Sequence, residues 1–378
     1  MYVRLLLFTA LVWATFSFGN QVSADPDDRR FVVQINKNVE LLGFVYFLGY
    51  EGVQSKTADY SVKTKARYAY GLDLYEQYKR HENSENLAVA VGFAQDIWLD
   101  YFINLLIQLE DFPNAKLNEK MESRYYLRFS PKRDEAEARK NASAFLEAMN
   151  RLYREVDFDT YLSQNRNKYE NALMQVKGGL PDGSFIPAME KFYQGRLDTY
   201  NLVPSLTIPP GMGFGVKYGS DQKTNAFHVF GSFAIPSFND ASNLDMGFND
   251  KKHLLELSTH EFGHSFVNQV IDQLPAEWIA ETQRLFDPVK DVMSNQGYVA
   301  WKACLYEHFV RAGEIVIAQS LGHAADARRL REHYEHDRKF IYLPLILPEL
   351  EAYQSIQKST YKQAVESAMK RLRENSRD

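Results

Sequence analysis

The chain has 378 residues, of which 45% are hydrophobic and 14% aromatic. It therefore carries material for a large packed core, and wholesale disorder, a collagen-like repeat and a small disulfide-stapled scaffold are excluded. Lys and Arg number 44 against 49 Asp and Glu, a net charge of −5, which leaves no global electrostatic footprint for a nucleic acid.

The first two dozen residues, MYVRLLLFTALVWATFSFGNQVSA, set one cation, Arg4, before an apolar run from Leu5 to Phe18 and a small-residue ending, Val22-Ser23-Ala24. This is the pattern of a cleavable secretory signal with cleavage near Ala24. Cleavage after Gly19 and an uncleaved anchor are the competing readings, and the run is short for a bilayer span. The expectation is an exported protein, periplasmic or secreted, that is not an integral membrane protein once the signal is removed. The organisation read from the chain is a signal over 1–24, a mainly helical N-terminal region over 25–200, and a region over 201–378 in which a small sheet precedes helices.

After the signal, Phe31 to Ile35 alternates like a short strand, and the following residues carry Val39, Leu42, Val45, Tyr46 and Gly49 at helical spacing. Apolar residues recur every three or four positions over Tyr60 to Lys79, Ala88 to Leu109, Asp134 to Arg154 and Tyr161 to Val176, predicting helices. Breaks fall at Pro113, Pro131 and the cluster from Gly178 to Pro187. The next stretch is rich in Gly, Pro, aromatic and β-branched residues, and predicts a small antiparallel sheet with strands near Leu202 to Ile208, Gly213 to Tyr218 and Ala226 to Phe230. Helical periodicity then resumes with an N-cap at Asn249 or Asp250 and helices near Lys251 to Gln273, Pro288 to Leu321, Ala325 to Lys339, Leu345 to Gln357 and Thr360 to Glu374. The fold class is α+β, predominantly helical.

The chemistry is concentrated in LSTHEFGHSF, which holds His260, Glu261, Phe262, Gly263 and His264. Two histidines four apart on a helix project from one face and can converge on a single zinc ion, while Glu261, about a hundred degrees round, reaches a water on that metal. That is the arrangement of a zinc hydrolase, with Zn²⁺ as cofactor and Glu261 as general base. A catalytic zinc needs a third protein ligand and an open position. The HExxHxxGxxH extension fails, because Val267 and Val270 stand at its Gly and His positions. A downstream glutamate is the better search, and Glu277, Glu281, Glu307 and Glu314 are the candidates. Glu307, Arg311 and Glu314 form a charged stripe on an otherwise apolar helix, and such charges need partners that a metal and its surroundings would supply. Glu307 is read as the ligand and Arg311 as a residue that orients a carboxylate or binds substrate. An ordinary helical ion pair between Glu307 and Arg311 is the structural alternative.

HEFGHSFVN, followed by Trp301, Cys304, Glu307, His308, Val310, Arg311 and Ala312, resembles a gluzincin-like family of uncharacterised exported bacterial proteins of zincin type. The upstream NVELLGFVYFLGYEG, from Asn38 to Gly52, is similar to that family's first helix. The resemblance implies a zincin-like catalytic half with His260, His264 and Glu307 as metal ligands and Glu261 as general base. It transfers no substrate.

An oxyanion donor is sought among His228, Tyr298, Tyr306, His308, His333 and Tyr334, without a ranking. Asn141-Ala-Ser143 is an acceptor sequon. Tyr68, Tyr70, Tyr75 and Tyr78, and Trp98, Tyr101 and Phe102, form aromatic stripes read as core ahead of a groove. The cleft is expected between the strand Ala226 to Phe230 and the HEFGH helix, with an extended substrate added to that strand. The leading function is an exported zinc metallopeptidase acting on a peptide or protein, with cell-wall or glycan-linked material included. A zinc hydrolase of a non-peptide amide, and a non-catalytic helical module that binds a peptide or glycan, are the alternatives.

Overall fold

A computed structural model describes residues 31–94, 97–220, 223–356 and 358–376, so the expected signal over 1–24 lies outside the described residues. Strand β1, Phe31–Val33, leads into helix α1, Lys37–Tyr46, which is capped by Asn36 accepting from the Val39 N–H. Further helices follow through the N-terminal half, among them α2, Ala69–Tyr78, α3, Leu99–Leu106, and α4, Glu135–Glu155. The periodicity over Tyr60 to Lys79 and over Ala88 to Leu109 is real, but each run is cut in two, at Tyr68 and between Ala94 and Leu99. Helix α5, Phe185–Tyr193, stands where the sequence suggests a break. Its Pro187 falls within the first turn, where the missing N–H costs no hydrogen bond, so Gly and Pro there mark a helix start.

The sheet contains strand β2, Thr199–Pro204, strand β3, Gly213–Ser220, and strand β4, Lys223–Phe230, in the order β1-β2-β4-β3. The expectation of an antiparallel sheet is corrected: β3 pairs antiparallel with β4, while β1 with β2 and β2 with β4 pair parallel. A parallel pairing needs a long crossover, and the helices between Lys37 and Tyr193 supply the one from β1 to β2. The link from β2 to β3 passes over the end of β4. There Gly231 abuts the loop so closely that a Cβ would stand 2.4 Å from the Pro209 carbonyl oxygen. Strand β4 is therefore central and β3 is an edge.

The chain closes with α6, Lys251–Asp272, α7, Trp301–Ser320, α8, Leu343–Ile356, and α9, Tyr361–Asn375. Asp250 caps α6 by accepting from the His253 N–H, and Thr360 caps α9. The predicted helix from Pro288 to Leu321 is interrupted ahead of Trp301 by a turn that includes Gly297 at φ 95°. One hydrophobic core, from Val39 to Leu372, joins helices and sheet. The sheet edge β3 and helix α7 both lie against α6.

Candidate metal centre

On α6 the imidazoles of His260 and His264 stand one turn apart with their Nε2 atoms separated by 3.3 Å. Glu307 comes from α7: its Oε1 is 3.2 Å from His264 Nε2 and its Oε2 is 3.6 Å from His260 Nε2. One ligand atom from each of the three residues lies within 4.8 Å of the others; His260 and Glu307 are buried and His264 is partly exposed. These residues could hold a metal ion. The two helices approach around Tyr193 of α5, whose hydroxyl sits between Gly263 and Gly313. A Cβ would come within 3.0 Å of that oxygen at Gly263 and 2.4 Å at Gly313.

The donors are held from behind. His260 Nδ1 lies 2.6 Å from Glu314 Oε1, and His264 Nδ1 lies 3.2 Å from Asn268 Oδ1. Arg311 Nη1 donates to Glu314 Oε1 at 3.3 Å and to the Tyr334 hydroxyl at 3.2 Å, and its Nη2 reaches Glu307 Oε2 at 3.5 Å. The guanidinium also lies over the Tyr334 ring, and the Tyr334 hydroxyl donates to Glu314 Oε2. Arg311 is thus buried between two carboxylates it orients. Glu314 contacts His260 on the side away from Glu307, the place where a partner fixes the tautomer and direction of a ligating imidazole.

Burial pushes the Glu307 carboxyl up, but His260, His264 and Arg311 outweigh it and hold the group well below the usual carboxylate range. The His264 imidazole moves up to about 9, burial being overridden by Glu307. Glu261 goes the other way, with burial raising its carboxyl against the pull of the two imidazoles. A retained charge suits a ligand, and a raised carboxyl suits a group that takes a proton near neutral pH.

Glu261 faces β3. A Cβ on Gly213 would be 3.2 Å from Glu261 Oε1, and one on Gly215 would be 2.5 Å from the Glu261 carbonyl oxygen and 3.0 Å from Oε2. At Gly215 only glycine allows the strand so close to the helix backbone, and at Gly213 a methyl would need the Glu261 and Leu257 side chains to give way by a few tenths of an ångström. On β4, the Thr224 and Phe230 carbonyls accept from Asp198 and Ser205 on the β2 side. Because backbone groups alternate sides along a strand, the intervening β4 residues serve β3, and Gly213, Gly215 and Lys217 turn their own N–H and C=O groups to the outer edge. The strand that borders the site with an available edge is β3, which corrects the expectation for Ala226 to Phe230.

Of the six sought oxyanion donors, two histidines are fixed through one ring nitrogen and keep a buried Nε2 without a hydrogen-bond partner among the described residues, and three more side chains are engaged elsewhere. His228 is buried on β4 with Nδ1 at 3.2 Å from Ser258 Oγ, and His308 is buried with Nδ1 at 2.7 Å from the Cys304 carbonyl. Tyr306 and His333 bond to Asp272 and Asp337 at the surface, and Tyr334 is spent on Glu314. Tyr298 is partly exposed and close to both Arg311 and Glu307, and burial raises its hydroxyl to about 12. Glu281 pairs with Arg373 at 2.6 Å, and Glu277 is exposed on the same short helix, so neither joins the site. The stripe Tyr70, Tyr75, Tyr78 is core, as is Phe102, whereas Trp98 is exposed. Asn141 donates its amide to the Phe129 carbonyl from within α4. Sequence reasoning missed Asn268 and the two β3 glycines, and it cast Glu314 only as a substitute ligand. The i, i+4 spacing of His264 and Asn268 was the one available signal for the former.

Residues 31–367 match the family described as a domain of unknown function, DUF4932, and the chain belongs to that family. No curated protein and no solved structure matches it.

Proposed function

We propose that the protein is a zinc-dependent hydrolase of gluzincin type, a metallopeptidase in its sharper form, with His260, His264 and Glu307 as the metal ligands. The observation that carries this reading is the spacing of the three donors, 3.2, 3.3 and 3.6 Å. Bonds of about 2.1 Å in a tetrahedron put neighbouring ligands roughly 3.4 Å apart, so two imidazoles and a carboxylate at this spacing suit zinc and leave the fourth position open. When bound, the ion would polarise a substrate carbonyl and acidify the attacking water.

The chain's own groups supply the remaining steps. Glu261, with its carboxyl raised by burial, takes a proton from the attacking water at its carboxylate and passes it to the leaving amine. Gly213 and Gly215 offer edge N–H and C=O groups to an extended substrate beside that carboxylate. Tyr298, whose hydroxyl interacts with Arg311 beside Glu307, is our candidate to donate to the developing oxyanion. Glu314 and Asn268 hold the two imidazoles in orientation, and Arg311 holds Glu307 and Glu314. Export of the enzyme is proposed from the N-terminal sequence alone.

Elemental mass spectrometry on the chain from about Asp25, beside its Glu307→Ala variant, tests the reading. One zinc per chain that is lost in the variant supports it. No zinc after reconstitution would favour a non-catalytic binding module, and zinc retained by the variant would move the third ligand elsewhere.

A further inference from the structure

The proposed reaction leaves open what the cleft selects, and the far end of β3 bears on that. Side chains alternate along a strand, so Lys217 lies on the same face of β3 as Gly213 and Gly215, the face turned to α6. Its Nζ reaches the helix one turn past the metal ligands, donating to the Ser265 carbonyl at 2.9 Å and to Gln269 Oε1 at 3.2 Å. Both partners are neutral. Among the described residues no carboxylate pairs with this half-buried ammonium. Burial lowers its affinity for a proton, and a second cation nearby, Arg124, lowers it further. Arg124 is itself exposed and paired with Glu122 at 2.9 Å, so Lys217 is the cation left without a counter-ion, and a half-buried cation of that kind is costly in a resting protein and becomes favourable when an anion enters.

The same place is where the open edge ends. The Tyr125 hydroxyl donates to the Lys217 carbonyl at 3.4 Å, and Arg124 Nη2 donates to that hydroxyl at 2.9 Å. Helix α3 also packs beside β3. An extended chain added to β3 can therefore pair with Gly213 and Gly215, but at Lys217 the edge acceptor is taken. Lys217 is two residues, about 7 Å, beyond the glycine that touches Glu261. A substrate group pointing to the α6 side at that distance from the scissile bond meets the Lys217 ammonium.

We propose that Lys217 forms a closed, carboxylate-reading end of the cleft, so that the preferred substrates carry a carboxylate about two residues from the scissile bond. This rests on the metallopeptidase reading of the site. The carboxylate is either an acidic side chain or the free C-terminus, and the chemistry at Lys217 is the same for both.

The test uses the zinc-loaded chain from about Asp25 and six-residue peptides of one sequence in three forms: free C-terminus with Gln, amidated C-terminus with Glu, and amidated C-terminus with Gln, with the Glu or Gln position scanned. Steady-state kinetics are measured for the unaltered protein, Lys217→Met and Lys217→Arg, and peptide affinity is measured by fluorescence anisotropy on zinc-loaded Glu261→Gln with and without Lys217→Met. A carboxylate form should be preferred by about tenfold or more, expressed in KM, the size expected for one charge-assisted contact. Lys217→Met should remove the preference, and Lys217→Arg should retain it. Preference for the first form identifies the C-terminus, and preference for the second identifies a side chain. Equal use of all three forms, or a preference that survives Lys217→Met, overturns the proposal. If no peptide is cleaved yet the anisotropy preference appears and depends on Lys217, the carboxylate site stands and the peptidase reading falls. If the binding preference is absent as well, the carboxylate site falls too.

Discussion

Glu314→Gln probes whether the metal centre is held from behind. Three donors converge on this carboxylate: His260 Nδ1 at 2.6 Å, Arg311 Nη1 at 3.3 Å, and the Tyr334 hydroxyl. An amide of the same shape has one accepting oxygen, and its NH₂ end would confront a donor. At least one buried donor is then left without an acceptor, at a cost of about 1–3 kcal/mol. Arg311 also loses one of its two carboxylates, leaving Glu307, at 3.5 Å, to balance the guanidinium. Glu307 is drawn toward Arg311 and away from the position it shares with the histidines, and His260 loses the anion that fixes its orientation. Loss of such a partner weakens metal affinity by about 10–100-fold. Competitive titration with a chromogenic chelator measures the zinc affinity, and thermal unfolding of the metal-free protein separates the stability cost. Glu281→Gln, at the surface pair with Arg373, is the control and should change neither. Zinc affinity of Glu314→Gln within twofold of the unaltered protein would refute the argument.

Glu261→Gln should keep full zinc occupancy and lose turnover by at least about a hundredfold, because the side chain is not one of the three proposed ligands and its carboxylate is the proposed proton acceptor; hydrolysis assays paired with metal analysis decide it. His264→Ala should lower zinc affinity itself, read by the same chelator titration. Glu40, buried in α1, has its carboxyl pushed up to about 7 by burial, against hydrogen bonds that include Tyr169 and Thr207. The folded state keeps that proton over a range in which the unfolded chain, with a carboxyl near 4.5, has lost it. Stability should therefore fall as pH rises from about 4.5 to 7, by on the order of 3 kcal/mol from this group. Denaturant unfolding of Glu40→Gln at several pH values should show a flatter profile, and an unchanged slope would contradict it. Gly215→Ala should depress turnover while leaving zinc bound, since its methyl would press on the Glu261 backbone at 2.5 Å; activity equal to the unaltered protein would show that strand and helix have room to part.

How much of this was legible in the sequence depended on whether the signal was local. His260 and His264 lie four apart on a helix that Asp250 starts, and both facts are written within twenty residues of sequence. Glu307 was legible for a related reason, since a run of apolar residues interrupted by Glu307, Arg311 and Glu314 already shows charges that need partners. The partnership itself was not: Glu314 meets His260 across two packed helices, and no spacing within either helix reports that distance. The same limit explains the sheet. Alternation located three strands between Thr199 and Phe230, but alternation is blind to neighbours, and the parallel partners of β2 and β4 are set by a crossover of helices and by a loop folded over Gly231.

The irregularities that misled local reasoning are the features that bring the site together. Pro187 looks like a helix breaker, yet it opens the helix that delivers Tyr193 to the crossing of α6 and α7. Gly263 and Gly313 are poor helix formers, and each gives up about 1 kcal/mol of intrinsic preference relative to alanine. In exchange the two helices share the volume around one hydroxyl, with 3.0 and 2.4 Å left for methyl groups that are absent. Gly213 and Gly215 do the same for the strand against Glu261. Four glycines on three elements thus set how near the strand and Glu307 come to the histidine helix. A donor spacing close to 3.3 Å follows from that closeness, because larger side chains at the crossings would hold Glu307 too far from His260 and His264 for one ion to bridge them.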